Sequence, residues 1–303
     1  MRLVTTVAEL QAQSRAWKAE GRPVALVPTM GALHAGHVSL VHAARDQGPG
    51  ELAPRVITSI FVNPLQFGEG EDFDRYPRSI EDDLQMLEAA GADAVFHPTV
   101  GEMYPPGFDT RVTAGTVAAP LEGAARPGHF DGVATVVARL FGAAIADRAY
   151  FGQKDAQQLA VIRRMVRDLA IPVEVVAGPT VREIDGLAMS SRNRYLGEDA
   201  RAQAPALVRA LAEAQWMHHA GVSDIAAIET AMREVIDAHS GVAGEYARLV
   251  DPETFEAPAA GRPRLAVVAA RVGPARLIDN AALDAADLIT FRMAQPESRA
   301  MAV

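Results

Sequence analysis

The sequence predicts an α/β protein: a doubly wound, Rossmann-like domain with a parallel sheet, followed by a smaller α+β domain. Three observations lead to this fold class. Short apolar runs rich in Val and Ile alternate with helical patterns over the first part of the chain. Further along, two Ala-rich helical patterns precede the remaining strand-like runs, and Gly178 and Pro179 separate the two regions. Alternating strands and helices form parallel sheets that bind ligands at the carboxyl ends of their strands.

The first predicted domain covers residues 1–180 and contains five buried strands. They lie at residues 24–27, 56–62, 94–96, 149–151 and 173–176. A helix is predicted from an apolar face that comprises Ile80, Leu84 and Leu87. Ser79 and Asp82 have the spacing of a capping box at its start, and Gly91 is suited to its end. A second helix is predicted from an apolar face that comprises Leu159, Ile162, Val166 and Leu169.

The second predicted domain begins near Thr180 and covers residues 181–285. Its helices are expected at residues 198–220 and 223–239, and its strands at 246–250 and 265–269. This domain is expected to close over the site of the first. Residues 286–303 resemble a flexible tail.

Composition limits the class of function. A chain of 303 residues that is 49% hydrophobic can bury a large core. Its net charge of -9 argues against a nucleic-acid-binding protein, which needs clustered Lys and Arg. The sequence has no Cys, no apolar leader near its start and no apolar run of the ~20 residues that span a membrane. We therefore expect a cytoplasmic protein without a membrane partner.

The first chemical motif follows the first predicted strand, where residues 28–40 read PTMGALHAGHVSL. Gly31 and Gly36 permit tight turns, and a helix that begins near Gly36 would direct free N–H groups toward an anion. His34 and His37 are three residues apart and could donate hydrogen bonds to phosphate oxygens from one helix face. The motif predicts a phosphate cradle without a Walker lysine. A structural turn with two incidental histidines, or a metal-binding pair, remains an alternative.

Three further segments carry polar groups at predicted strand ends or on a loop. Residues 59–67 read SIFVNPLQF, residues 151–159 read FGQKDAQQL, and residues 181–193 read VREIDGLAMSSRN. The first offers the amides of Asn63 and Gln66, and the second places Lys154 at a helix start, where it can meet a phosphate. Taken singly, each segment could reflect ordinary helix capping or surface charge. Together they complement the cradle.

In combination, the four segments resemble the pantothenate synthetase family, within the class I nucleotidyl-transferring superfamily. The likeness extends from Val24 to Asn193 and is weaker in the last third of the chain. It implies that His37 is the proton donor and that pantoate is bound by Gln66 and Gln158. Asn63, from the same strand end as Gln66, is a further candidate for binding the substrates. Gln66 would also reach β-alanine. ATP would be bound by Met30, Gly31, Ala32, Leu33, His34, Ala35, Gly36, His37, Gly152, Gln153, Lys154, Asp155, Val181, Met189, Ser190, Ser191 and Arg192.

The resemblance also implies a reaction in two steps, in which pantoate attacks the α-phosphorus of ATP and the β-alanine amine then displaces AMP from the acyl adenylate. A carboxylate needs no base for the first step. It needs stabilisation of negative charge, for which the candidate groups are Mg²⁺ and the side chains of His34, His37, Lys154, Ser190, Ser191 and Arg192. An ordinary histidine pKa of about 6.5 would let His37 carry the proton. A homodimer is expected from the family.

Two features have alternative interpretations. Asp82 and Asp83 match acidic positions that meet the metal on ATP, and Asp is a suitable ligand for Mg²⁺. They could equally be the acidic first turn of a helix, where they favour its dipole. Arg126 and His129 lie in the stretch GAARPGHFDG, which resembles either a mobile flap over the site or a plain connecting loop.

Rival functions share parts of this pattern. A nucleotidyl transferase for phosphate acceptors would use the same histidine motif, but it should carry extra cationic groups where this chain has Gln66 and Gln158. A noncatalytic ATP-sensing module could use the same cradle, and an assay for AMP release would separate it from an enzyme. A tRNA synthetase is disfavoured because the last third lacks a basic surface pattern.

Overall fold

The computed structural model describes residues 1–46, 52–68, 70, 71, 73, 79–285 and 289. Within these ranges the strands are β1 Arg2–Val4, β2 Val24–Thr29, β3 Arg55–Ile60, β4 Ala94–Phe96, β5 Arg148–Gly152, β6 Glu174–Gly178, β7 Val242–Val250, β8 Leu265–Val272 and β9 Ala275–Ala282. The α-helices are α1 Val7–Ala19, α2 Ala35–Arg45, α3 Ile80–Ala90, α4 Val100–Met103, α5 Glu122–Ala125, α6 His129–Ala144, α7 Ala156–Asp168, α8 Glu198–Gln203, α9 Ala206–His219 and α10 Ile225–Asp237. Apart from Ile289, the predicted tail at 286–303 lies outside the described residues.

The chain divides into two compact units. The first unit consists of Met1–Val181, Met189–Ser191 and Val250–Arg262. The second unit consists of Arg182–Ala188, Arg192–Leu249 and the chain from Pro263 onward. The first long segment thus ends at Val181, next to the predicted boundary at Thr180, and two short segments from later in the chain also belong to the first unit.

The first unit is built on a six-stranded sheet with the order β1-β4-β3-β2-β5-β6. All its recorded pairings are parallel. Strand β3 pairs with one side of β2, and the later strand β5 pairs with the other side of β2. The predicted α/β class is confirmed, and the strand order reverses between β2 and β5, where doubly wound sheets bind their ligands.

Burial follows the predicted apolar runs. The four residues that begin β2, Val24 to Val27, are fully buried, as a strand covered on both faces requires. Each of the five predicted strands overlaps an observed one. Strand β1 was not predicted, because it has only three residues and only Val4 of them is buried.

The helix before β4 agrees with its prediction except at its start. In α3, Leu87 is buried, with Ile80 and Leu84 packed against the same core. Gly91 adopts a left-handed conformation and ends the helix. The predicted capping box is wrong, because Ser79 makes no side-chain cap hydrogen bond.

Helix α7 also shows one departure from its predicted apolar face. Leu159 and Ile162 are buried. Leu169, however, follows the last helical residue and is 57% exposed, so its assignment to that face is wrong.

The second unit combines helices α8 to α10 with a three-stranded sheet of order β7-β8-β9. The helix predicted over 198–220 is divided into α8 and α9 at Pro205, which has no N–H to continue the helical hydrogen bonds. Strand β9 pairs antiparallel with β8 and was not predicted. Its sequence places Asp279 and Asn280 at buried positions, which hides the usual alternation of apolar residues. No helix in the described ranges is long and apolar enough to span a bilayer.

Candidate active site

The segments singled out in the sequence follow adjacent strands of the parallel sheet. The PTMGALHAGH segment begins with the last two residues of β2, the NPLQF segment follows β3, and the GQKD segment begins with the last residue of β5. These three strands are neighbours in the order β3-β2-β5. Because all are parallel, their carboxyl ends meet at one edge of the sheet, on both sides of the reversal in strand order.

The loop after β2 makes a tight left-handed turn. Gly31 has a φ of 82° and Ala32 a φ of 51°, a region that costs an L-residue energy but is open to glycine. A Cβ atom on Gly31 would lie 2.9 Å from Asp83 Oδ2 and 3.2 Å from Ile60 Cγ2. Only glycine therefore fits at this position without displacing its neighbours.

The side chain of Asp83 stabilises this turn through hydrogen bonds. Its Oδ2 accepts a hydrogen bond from the Ala32 N–H at 2.9 Å and its Oδ1 accepts one from the Leu33 N–H at 2.8 Å. The Ser191 hydroxyl donates to the Ala32 carbonyl at 3.0 Å. Asp83 is 3% exposed. The left-handed residue Ala32 is therefore fixed through both its N–H and its carbonyl group.

These contacts bear on the predicted metal site. Both carboxylate oxygens of Asp83 accept backbone hydrogen bonds, and Asp82 is exposed on the same helix. Among the described residues, no group of three or more His, Asp or Glu side chains could hold a metal ion. A Mg²⁺ ion that accompanies ATP needs only one or two protein carboxylates, so the assignment of Asp82 and Asp83 to this metal stays a prediction, and we derive no step through the metal.

The two histidines form a reciprocal cap at the start of α2. His34 is the N-cap residue, and its Nδ1 accepts from the Gly36 N–H at 3.1 Å. The Nδ1 of His37 accepts from the His34 N–H at 3.3 Å. The ring centroids are 4.1 Å apart. Since each Nδ1 atom is an acceptor, a neutral ring carries its proton on Nε2, which makes Nε2–H the donor of each histidine.

The protonation of His37 differs from the expectation. Burial, together with the neighbouring charges of His34 and Lys154, lowers the pKa of His37 to about 3. His37 is therefore neutral near a pH of about 7, and the expectation of an ordinary histidine pKa is wrong. A neutral His37 still donates a hydrogen bond through Nε2–H.

Lys154 approaches the cradle from the neighbouring strand. It lies in a short 3-10 helix, Gln153–Asp155, between β5 and α7, and its side chain is 18% exposed. Its Nζ is 3.9 Å from Asp155 Oδ1, and its charge contributes to the lowered pKa of His37. The predicted phosphate-binding groups that follow β2 and β5 are thus close together.

The amides after β3 are also in contact with the cradle. The Gln66 Nε2 donates to the Met30 Sδ at 3.1 Å, and the Asn63 Nδ2 donates to the Gln66 Oε1 at 3.0 Å. Asn63 is 1% exposed and its Oδ1 accepts from the Tyr104 hydroxyl at 2.7 Å. Asn63 therefore orients the amide of Gln66, and that amide reaches the loop predicted to bind ATP.

Helix α6 comes close to these amides. The Asn63 Nδ2 also donates to the Gly132 carbonyl at 3.1 Å. A Cβ atom on Gly132 would lie 2.2 Å from the Leu65 carbonyl oxygen, so this approach requires glycine. Sequence reasoning missed both Tyr104 and Gly132, because neither belongs to a motif with recognisable spacing.

The two glutamines at the start of α7 have different environments. Gln157 is buried, donates to the carbonyls of Val117 and Pro120, and accepts from the Glu122 N–H. It therefore has a structural role. Gln158, the predicted pantoate ligand, is half-buried at the next position of the helix.

The MSSR segment is divided between the two units. Its Met189 N–H donates to the Val181 carbonyl at 2.9 Å, and Met189 to Ser191 belong to the first unit. Arg192 belongs to the second unit. The structure thus brings Ser191 to the cradle loop but does not assign Arg192 to the same unit.

The stretch GAARPGHFDG is not a plain loop. Helix α5 ends at Ala125 and helix α6 begins at His129, with only three residues between them. The connecting loop is therefore limited to residues 126–128, and the alternative of a mobile flap over the site stays a prediction. Arg126 forms an ion pair with Glu71 at 2.6 Å.

The family model described as Pantoate-beta-alanine ligase matches residues 2–282. A pantothenate synthetase from Roseiflexus sp. is 52% identical over 286 residues, covering 94% of this chain and 100% of the relative. One from Mycolicibacterium smegmatis is 51% identical over 277 residues, covering 91% of this chain and 86% of the relative.

Solved structures agree with this result. The pantothenate synthetase of Thermus thermophilus has a TM-score of 0.85 and 51% identity, with coverage of 93% of this chain and 99% of that one. A pantoate-beta-alanine ligase of Francisella tularensis, complexed with beta-gamma ATP and β-alanine, has a TM-score of 0.77 and 29% identity over 94% of this chain and 98% of that one. The chain therefore belongs to the pantoate-beta-alanine ligase family of enzymes.

Proposed function

We propose that the protein condenses pantoate with β-alanine to form pantothenate, uses ATP, and proceeds through a pantoyl adenylate with release of AMP and pyrophosphate. One observation carries the proposal: the amide of Gln66 contacts Met30 at the loop that leads to His34 and His37. This contact supports a pantoate site at Gln66 that is continuous with a phosphate site at the two histidines. The family supports this pair of substrates.

In the first step, a pantoate carboxylate oxygen forms a bond to the α-phosphorus of ATP while the bond to pyrophosphate breaks. Because the attacking group is already an anion, no residue needs to remove a proton. The protein must stabilise charge on the α-phosphate and the departing pyrophosphate. The Nε2–H groups of His34 and His37, the start of α2 and the Lys154 ammonium are suited to this role.

In the second step, the β-alanine nitrogen bonds to the acyl carbon, the bond to the AMP oxygen breaks, and the amine loses a proton. The adenylate is a mixed anhydride that water would hydrolyse, so the reaction requires enclosure. The proposal assigns Gln66 and Gln158 to pantoate and Gln66 also to β-alanine. Four further expectations rest on the resemblance and composition alone. They are Mg²⁺ as the ion that accompanies ATP, closure by the second unit with Arg192, a homodimer and a cytoplasmic location.

Two substitutions separate substrate recognition from phosphate chemistry. Gln66→Ala is expected to raise the KM values for pantoate and β-alanine by roughly tenfold, because it removes hydrogen bonds to those substrates. Lys154→Ala is expected to slow adenylate formation by roughly 10²-fold, because it removes a charge that stabilises the transition state. Steady-state and single-turnover assays with ATP, pantoate and β-alanine, each omitted in turn, provide the measurement.

Lys18→Ala is the matched control for Lys154→Ala, since Lys18 also pairs with an aspartate, Asp147, at 2.7 Å. It should leave adenylate formation unchanged. The proposed division of roles fails if Gln66→Ala and Lys154→Ala show the same kinetic defect.

A further inference from the structure

Gln66 is held at two points from the first turn of α6. Its side-chain Oε1 accepts from Asn63, whose Nδ2 also donates to the Gly132 carbonyl. Its main-chain carbonyl oxygen lies 2.8 Å from the Nδ1 of His129, the first residue of α6. Both the amide and the backbone of Gln66 are therefore connected to the same helix turn.

The hydrogen bonds of His129 define its tautomer. The Arg126 Nη1 lies 3.0 Å from the His129 Nε2, and a guanidinium can only donate, so Nε2 is an acceptor. The ring proton of the neutral His129 is then on Nδ1, which donates to the Gln66 carbonyl. Burial, followed by the charge of Arg126, lowers the pKa of His129 to about 4. The ring is thus neutral, with its proton directed at Gln66.

Arg126 is held in turn by Glu71. The Arg126 Nε donates to Glu71 Oε1 at 2.8 Å and its Nη2 donates to Glu71 Oε2 at 2.6 Å, a two-point contact with a fixed orientation. Burial alone would raise the pKa of Glu71, but the hydrogen bonds and charge of Arg126 outweigh it and the pKa lies below its usual value. The carboxylate is therefore ionised and fixes the guanidinium beside His129.

We infer that His129, oriented by the Arg126–Glu71 pair, is a positioning residue that fixes Gln66 for binding pantoate and β-alanine. The inference rests on the substrate role proposed for Gln66. The contacts run from Glu71 through Arg126 and His129 to the Gln66 carbonyl, which also accepts a longer hydrogen bond from the Arg126 Nη2 at 3.4 Å. His129 thus acts through Gln66. The short 3-10 helix Pro64–Gln66 ends at the residue that His129 holds.

His129→Ala is expected to raise the KM values for pantoate and β-alanine by roughly tenfold, with a much smaller change in the KM for ATP. His129→Asn should recover most of the loss, because its amide N–H can replace Nδ1–H toward the Gln66 carbonyl. His239→Ala is a matched control. The His239 Nδ1 lies 2.9 Å from the Val235 carbonyl oxygen and its Nε2 lies 3.0 Å from the Arg209 Nη1, the same arrangement within the second unit.

The His239→Ala variant should leave all three KM values unchanged, and thermal melting of each variant checks that it is folded. In the Gln66→Ala background, His129→Ala should add no further increase in the KM for pantoate, because the two residues act as one unit. A ¹⁵N spectrum of the unmodified protein should show the His129 proton on Nδ1. This spectrum tests the arrangement directly even if His129→Ala does not fold.

The inference is overturned if Gln66→Ala raises the KM for pantoate but His129→Ala does not, if His129→Asn fails to recover the loss, or if the His129 proton is on Nε2. If Gln66→Ala itself leaves the KM values unchanged, the substrate role of Gln66 is the part that fails, and the positioning role fails with it.

Discussion

Replacing His37 with Ala is expected to slow adenylate formation by roughly 10²–10³-fold, the effect of losing one preorganised donor to developing negative charge. The neutral ring has its Nδ1 occupied by the His34 N–H, so its donor is Nε2–H. The substitution removes that donor and also half of the reciprocal cap at the start of α2. Single-turnover measurement of adenylate formation is the appropriate assay.

The controls for this prediction come from the chemistry and from the same helix. His37→Gln should retain part of the rate, because a Gln amide can donate from about the position of Nε2. His42→Ala removes an exposed histidine from the last turn of α2 and should have no effect on the rate. A near-normal rate for His37→Ala would rule out its assigned role.

Asp83→Ala is expected to destabilise the first unit and to slow adenylate formation at least tenfold. It leaves the buried N–H groups of Ala32 and Leu33 without their acceptor, at a cost of about 1–3 kcal/mol for each unsatisfied group. It also releases the left-handed turn that carries the cradle. Thermal unfolding without ATP or Mg²⁺, followed by the single-turnover assay, measures both effects.

Asp82→Ala is the matched control, because Asp82 is adjacent on α3 and exposed. It should lower the unfolding temperature much less than Asp83→Ala does, because it removes only a favourable charge in the first turn of α3. If Asp83→Ala leaves the unfolding temperature in the absence of ATP and Mg²⁺ unchanged and instead raises the Mg²⁺ concentration required for activity, then Asp83 is a metal ligand and the tethering role is contradicted.

The parallel sheet could be predicted because its central strands are nearly continuous apolar runs. Strand β2 is such a run, and its four leading residues are fully buried. Strand β1 has only three residues, too few for periodicity to be detected. Strand β9 contains buried Asp279, which is paired with Arg182 at 2.6 Å, so a long-range ion pair replaces the apolar residue that sequence reasoning expects.

The candidate site likewise has some features that the sequence predicts and others that it does not. The histidine cap could be anticipated because His34 and His37 are local in sequence. The tether from Asp83 to Ala32 spans 51 residues and the bond from Tyr104 to Asn63 spans 41, and no local pattern indicates either contact. The lowered pKa of His37 could not be predicted, because burial is its main cause and depends on the folded environment.

Isotope exchange between pyrophosphate and ATP tests the proposed adenylate most directly. With pantoate and Mg²⁺ present and β-alanine absent, we expect labelled pyrophosphate to enter ATP, because formation of the adenylate is reversible while its products remain available. Adding β-alanine should divert the adenylate into pantothenate and AMP. The two-step account is contradicted if exchange requires β-alanine under otherwise saturating conditions, or if the nucleotide product of the complete reaction is ADP.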